Sequence, residues 1–274
     1  QDALLIVVLL SAFAGALLVA KQLRGPALKL LAPAAVLALA AGARAWLVER
    51  RVPERLLVSQ IEKSLGSPPR LLAYSEDVEA SVGVLSHPNR SRILAVNGII
   101  VTGYTNATKL VAHIPLLLHP RPERTLVIGF GMGTTFRSAL QHPGRVVAAD
   151  LVPSVLDSFV WFHPDARRWA ADPRASRLVV DGRNHLLADR EGYDVIAVDP
   201  SPPLYSAGTV NLYSRDFYGL ARRHLRPHGL VAMYLPGYPE TEFRTLMKTF
   251  MDAFPHVQFW RDSPKGEGLI MIGG

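Results

Sequence analysis

The chain has 274 residues, with 30 Lys and Arg against 23 Asp and Glu, a net charge of +7, and no cysteine. That length holds one ordinary domain and an appendage. Disulfides, thiolate metal sites and cysteine nucleophiles are excluded, and the 9 histidines show no H-x-x-x-H spacing, so no metal site is expected. The basic residues form no arginine-rich helix and no aromatic-interleaved patch, so nucleic acid is not an expected partner.

Residues 3–20 carry no charge and are interrupted only by Ser11. This is close to the ~20 apolar residues that cross a bilayer, and no A-x-A-like site leads into a polar region. Residues 26–48 form a second, poorer segment, in which Lys29 and Arg44 bound a short apolar core and would have to snorkel. Residues 1–50 are therefore expected to be a membrane anchor of one or two transmembrane helices. Lys21, Arg24 and Lys29 lie between the two segments and Arg44, Arg50, Arg51 and Arg55 beyond them, which leaves the orientation open.

Residues 51–73 read as a helical linker. Leu56, Leu57, Gln60, Ile61 and Leu65 recur at helical spacing, and the GSPP run at 66–69 stops the helix. Residues 74–106 read as a small β region. Val78, Ala80, Val82 and Val84 alternate with polar neighbours, and Asn97-Gly98 joins two apolar runs, a strong hairpin signal. Residues 107–274 alternate strands (125–128, 146–149, 178–180, 195–198, 230–234) with helices (134–141, 153–162, 184–189, 214–225). A helix at 240–254 and a hairpin at 257–261 and 269–272 close the chain. The expected fold is α/β: an S-adenosylmethionine-type Rossmann, doubly wound sheet with a small N-terminal β hairpin region and the N-terminal membrane helices.

The stretch TLVIGFGMGTTFR carries the clearest chemistry. A buried strand runs into a turn with Gly129, Gly131 and Gly133, and a helix opens at Thr134. Glycines let the backbone approach a ligand, and a helix N-terminus offers free N–H groups. The next strand ends in Asp150, placed to accept from two ribose hydroxyls. A dinucleotide site expects G-x-G-x-x-G; the spacing G-x-G-x-G suits S-adenosylmethionine, which has no pyrophosphate to cradle.

VIGFGMGTTFR, AADLVPSV, VVDGRNHL, YDVIAVDPSPP and LYSRDFYGLARRHLRPHGL together resemble the spermidine synthase (aminopropyltransferase) family, from about Tyr74 to the C-terminus. Among its members the chain looks most like the bacterial branch in which such a domain is attached to transmembrane helices. The resemblance implies that Gly129, Gly131 and Gly133 form the cofactor loop and that Asp150 holds the ribose. Asp181 and Gly182 lie beside the adenine. Asp199 matches the acid that helps deprotonate the attacking amine, an ammonium that must lose its proton first; capping of the following turn is the other reading of Asp199. The implied cofactor is S-adenosylmethionine or its decarboxylated form, or none.

Several family acids are replaced. Met132 stands where the family has the Asp that binds the aminopropyl ammonium. Pro202 stands where it has a second amine-binding Asp, and Lys109 where it has a Glu. Polycations need several carboxylates, so the expected activity is group transfer to a non-polyamine acceptor. Alternatives are a catalytically silent accessory subunit of a larger integral membrane complex and, as a minor option, true aminopropyl transfer. His113, Tyr205 and Tyr213 are open as acceptor-pocket or packing residues. The resemblance implies a bacterial inner membrane, bilayer-bound, and an intracellular cofactor would put the soluble domain in the cytoplasm.

Overall fold

The structure is a computed structural model that describes residues 15, 36–39, 41, 42, 52–88, 90–102, 106–200, 207–237, 239–261 and 268–274. It divides into two compact units, Gln1–Leu56 and Leu57–Gly274. In the first, residues 36–39, 41 and 42 are helical, and Leu37 and Leu39 are exposed.

The expected transmembrane anchor is corrected here. Among the described residues no helix is long and apolar enough to cross a membrane. Of residues 3–20 only Gly15 is described, and of 26–48 only the short helical pieces just named. Nearly all of both stretches lies outside the described residues, and in the second Lys29 and Arg44 leave an uncharged run, residues 30–43, shorter than the ~20 a bilayer core requires. The inner-membrane location, which rested on that anchor, falls with it.

The second unit holds two sheets. Helix α1 (Val52–Leu65) precedes β1 (Arg70–Glu76), β2 (Ser81–His87), β3 (Arg90–Val96) and β4 (Ile99–Thr102), which pair antiparallel in the order β1-β2-β3-β4. Leu57 and Ile61 of α1 bury against Leu85, Ile93 and Ala95. The β3–β4 turn needs two left-handed residues, and Asn97 (φ 51°) and Gly98 (φ 77°) provide them. Strand β1 escapes sequence reading because it is a half-buried edge strand directly after Pro68-Pro69. Val78, expected to face inward, is 99% exposed. The Asp77 carboxylate accepts from the amides of Glu79 (3.0 Å) and Ala80 (2.9 Å), which folds residues 77–80 into a turn and delays the strand to Ser81.

After α2 (Asn106–Leu118) come β5 (Arg124–Ile128), α3 (Thr134–Ala139), β6 (Arg145–Asp150), α4 (Pro153–Asp157), α5 (Ala166–Ala170) and β7 (Ala175–Val179). There follow α6 (Gly182–Ala188), β8 (Tyr193–Val198), α7 (Ala207–Leu212), α8 (Arg215–Arg223), β9 (Leu225–Leu235), α9 (Glu240–Ala253), β10 (Val257–Trp260) and β11 (Leu269–Gly273). The seven strands run β10-β11-β9-β8-β5-β6-β7. Strands β9-β8-β5-β6-β7 are parallel, and β10 and β11 add an antiparallel edge. Every residue of β8 is buried, as a parallel strand with both faces covered must be. The single helix expected over 153–162 breaks into α4 and a 3-10 turn, Ser158–Trp161. Ser158 Oγ donates back to the Val155 carbonyl at 2.7 Å, the kind of local bond that competes with regular helix.

The two sheets are pinned together. Ser154 Oγ at the start of α4 donates to Asp77 Oδ2 at 2.8 Å and lies 2.9 Å from Ser75 Oγ. Burial works to raise the Asp77 carboxyl, but its hydrogen bonds from Ala80, Ser154 and Glu79 outweigh that and hold it below the usual range.

At the N-terminal ends of β5 and β8 lies a polar network remote from the glycine loop. Arg124 donates bidentately to Asp189 (2.9 and 2.6 Å) and sits 4.2 Å from the centre of the Tyr193 ring. Asp189 also accepts from the Glu191 and Gly192 amides. Burial pushes the Asp189 carboxyl up, yet Arg124 and these amides hold it far below its ordinary value. Asp189→Ala would leave the part-buried guanidinium with only the exposed Glu191 at 3.5 Å and the Gly192 carbonyl as partners, at a cost of about 3 kcal/mol in urea unfolding at pH 7. A depressed carboxyl stabilises the fold fully above its unfolded value and loses that contribution as pH falls through the folded one. The gap between wild type and variant should therefore begin to narrow below roughly pH 4.

Candidate functional site

The glycine turn follows from its geometry. Gly129, Gly131 and Gly133 all have positive φ (84°, 51° and 74°), which other residues adopt at a cost. Gly129 also touches the neighbouring strand end: a Cβ there would stand 2.4 Å from the Asp199 carbonyl oxygen. The Gly133 amide donates to the Phe130 carbonyl at 2.7 Å, closing the turn. The side chains between the glycines go the other way. Phe130 is 3% and Met132 2% exposed, and Phe130 packs on Phe136 and Phe159 with ring centres 5.4 Å away.

A cleft of about 310 Å³ is thereby left open. Gly129 and Gly131 form part of its wall, together with Ile128, Asp150, Asp181 and Gly182 from the large sheet's C-terminal edge. The small sheet supplies an apolar wall, Leu94, Val96, Ile99 and Val101. Their numbering shows why: 94/96 and 99/101 keep one face across the hairpin, by the two-residue period of strands. That two-residue period is visible in the sequence. Gly133 does not line the cleft; it gives Phe159 room, since a Cβ would meet that ring at 2.4 Å.

Three carboxylates surround this edge. Asp150 Oδ2 accepts from the Phe130 amide at 2.8 Å and Oδ1 from the Val152 amide at 3.0 Å. It thus holds the glycine loop in place while facing the cleft. Burial raises its carboxyl above the ordinary value, against those amides. Asp181 caps α6, accepting from the Asn184 amide at 2.8 Å. Gly182, first in that helix, lies so near Ile128 that a Cβ would come within 2.5 Å.

Asp199 directly follows β8, and its amide donates to the Ile128 carbonyl at 2.9 Å. Burial pushes its carboxyl up to about 6, opposed only by a hydrogen bond from Thr135. Sequence reading missed Thr135, whose Oγ1 lies 3.0 Å from Asp199 Oδ2 and 2.7 Å from the Thr108 carbonyl.

Other expected residues lie elsewhere. His113 Nδ1 is 2.8 Å from His142 Nε2, and burial, His142, Lys109 and Arg137 all push its value down. Tyr213 is buried and donates to the Tyr234 carbonyl at 2.9 Å, so both are packing residues. Lys109 is exposed and absent from the cleft wall. Ser201, Pro202 and Tyr205 lie outside the described residues.

A Rossmann-like α/β domain of the methyltransferase type, with an open cleft at its glycine loop, defines the class of fold. Two solved structures share it at 20% identity. One is a spermidine synthase in complex with the transition state analogue AdoDATO (TM-score 0.66, 74% of this chain and 73% of that chain). The other is the spermidine synthase from Thermotoga maritima (TM-score 0.64, 74% and 72%). The spermine/spermidine synthase domain matches residues 104–259, and the chain belongs to that family. It is 28% identical to a polyamine aminopropyltransferase of Bacillus subtilis over 239 residues, 83% of each chain. It is 29% identical to the enzyme of that name from Nitrosomonas europaea over 201 residues, 69% of this chain and 61% of the relative.

Proposed function

We propose that this protein transfers an aminopropyl group from a decarboxylated S-adenosylmethionine-type donor to an amine. The observation that carries this is the open cleft whose wall includes Gly129, Gly131, Asp150, Asp181 and Gly182, with the half-buried Asp199 carboxyl where β8 meets the loop. Asp150 holds the ribose hydroxyls, and Asp181 and Gly182 border the adenine. The apolar wall of the small sheet covers the nucleoside.

This corrects two expectations, the non-polyamine acceptor and the silent accessory subunit. The relatives are polyamine aminopropyltransferases by name. Replaced acids exclude a polyamine only where the new side chains occupy the amine channel. Met132 instead packs in the core and Lys109 is exposed, and the cleft at the glycine loop is open. The replaced acids keep one consequence in this proposal: fewer carboxylates hold the amine, so its affinity is weak.

The donor supplies a carbon bonded to positively charged sulfur. The acceptor ammonium gives a proton to the Asp199 carboxylate, and the freed lone pair attacks that carbon. The carbon–sulfur bond breaks with its electrons left on sulfur, yielding a neutral thioether and the aminopropylated amine.

Mass spectrometry of the purified protein with decarboxylated S-adenosylmethionine and a series of diamines tests this. Methylthioadenosine and the aminopropylated product are expected together. The donor alone should raise thermal stability by a few kcal/mol at saturation. Absence of both products with every amine would overturn the proposal.

A further inference from the structure

Thr135 has one hydroxyl hydrogen and two acceptors within reach, the Thr108 carbonyl at 2.7 Å and Asp199 Oδ2 at 3.0 Å. It cannot donate to both at once. It is 1% exposed, and its partner Asp199 is half-buried. Two arrangements use every group. With Asp199 ionised, Thr135 donates to the carboxylate. With Asp199 protonated, the carboxyl donates to Thr135 Oγ1, and the threonine hydrogen turns to the Thr108 carbonyl. The second arrangement fits the shorter distance.

We propose that Thr135 is a positioning residue whose hydroxyl turns between Asp199 and the Thr108 carbonyl as Asp199 gains and loses its proton. This rests on the reading above, in which Asp199 takes the acceptor's proton. Each proton taken up by Asp199 swings one hydrogen from the carboxylate to α2, so Oδ2 stays hydrogen-bonded in both states. Among the described residues, burial and this hydroxyl are what shape the environment of Asp199. The charged and titratable groups on the elements packed here are engaged elsewhere. Lys109 on α2 is exposed, His113 is bonded to His142, and Arg137 on α3 is paired with Asp165 at 2.6 Å. Burial raises the Asp199 carboxyl, and among the described side chains Thr135 is the one that opposes it.

The test compares wild type, Thr135→Val and Thr135→Ser, with two readouts. The first is the infrared carboxyl band of Asp199 in the free protein, isolated by subtracting Asp199→Asn and followed through pH. The second is the pH profile of kcat. Valine fills the same space but removes the donor that favours the carboxylate, so the Asp199 midpoint should rise by about one pH unit. The acid limb of kcat should move with it, and serine should restore both. A residue that only packs would lower kcat at every pH and leave the midpoint in place. An infrared midpoint that is the same in Thr135→Val as in wild type overturns the inference. A midpoint that moves in a protein making no product with any amine supports the Thr135 device and sinks the transferase reading instead.

Discussion

Asp199→Asn should lose nearly all turnover and at the same time become more stable at neutral pH. A positioned base contributes about 10²–10⁴-fold, so kcat is expected to drop by at least a hundredfold, roughly the lower bound of that range. The stability gain has a separate cause. Burial lifts the Asp199 carboxyl to about 6, so ionising it in the fold costs roughly 3 kcal/mol more than in the unfolded chain. An acid raised in this way destabilises the native state as pH climbs from the unfolded value through the folded one. Asparagine removes that penalty, and its amide can donate to Thr135 as a protonated carboxyl would. The variant should therefore exceed wild type by roughly 3 kcal/mol at pH 8 and match it near pH 4. Urea unfolding at both pH values reads this directly. A variant less stable than wild type at pH 8 would remove Asp199 as a strained, function-bearing acid.

Gly129→Ala is expected to combine two penalties that a control can separate. The left-handed φ of 84° costs a side chain about 1–2 kcal/mol. The added Cβ would also press on the Asp199 carbonyl oxygen at 2.4 Å, forcing β5 and β8 apart at the cleft for another 1–3 kcal/mol, approximately. Gly66→Ala carries only the first term, since φ is 75° and nothing lies within 4 Å of its Cβ. Chemical denaturation should show Gly66→Ala down by about 1 kcal/mol and Gly129→Ala by roughly 2–4. Calorimetry should find donor binding lost in the second alone. Equal losses in the two variants would show that the close approach to Asp199 is not tight.

How far the sequence was legible depends on how local each constraint is. The β5–loop–α3 unit could be read because its glycines answer a backbone demand made within a few residues, and Asp150 follows from strand length. Strand β1 could not, because an edge strand that is half-buried leaves a weak alternation. The break after α4 was hidden in an ordinary serine. Thr135 lies 64 residues from Asp199 in the chain, so no spacing rule connects them. The membrane expectation rested on apolar composition alone, and among the described residues no helix is long and apolar enough to cross a bilayer. The acceptor expectation failed on orientation, since a replaced residue says what it removes and not where its own side chain turns. Phe130 and Met132 alternate with glycines, and that alternation sends them into the core.

The Asp77–Ser154 bond has one more consequence. The cleft is a seam between two independently hydrogen-bonded sheets, and this bond is a rivet along it. A ligand that touches Val96 on one side and Asp150 on the other closes the seam from within. Slower hydrogen exchange in β3 and β4 on donor binding would register that closure far from the glycines themselves.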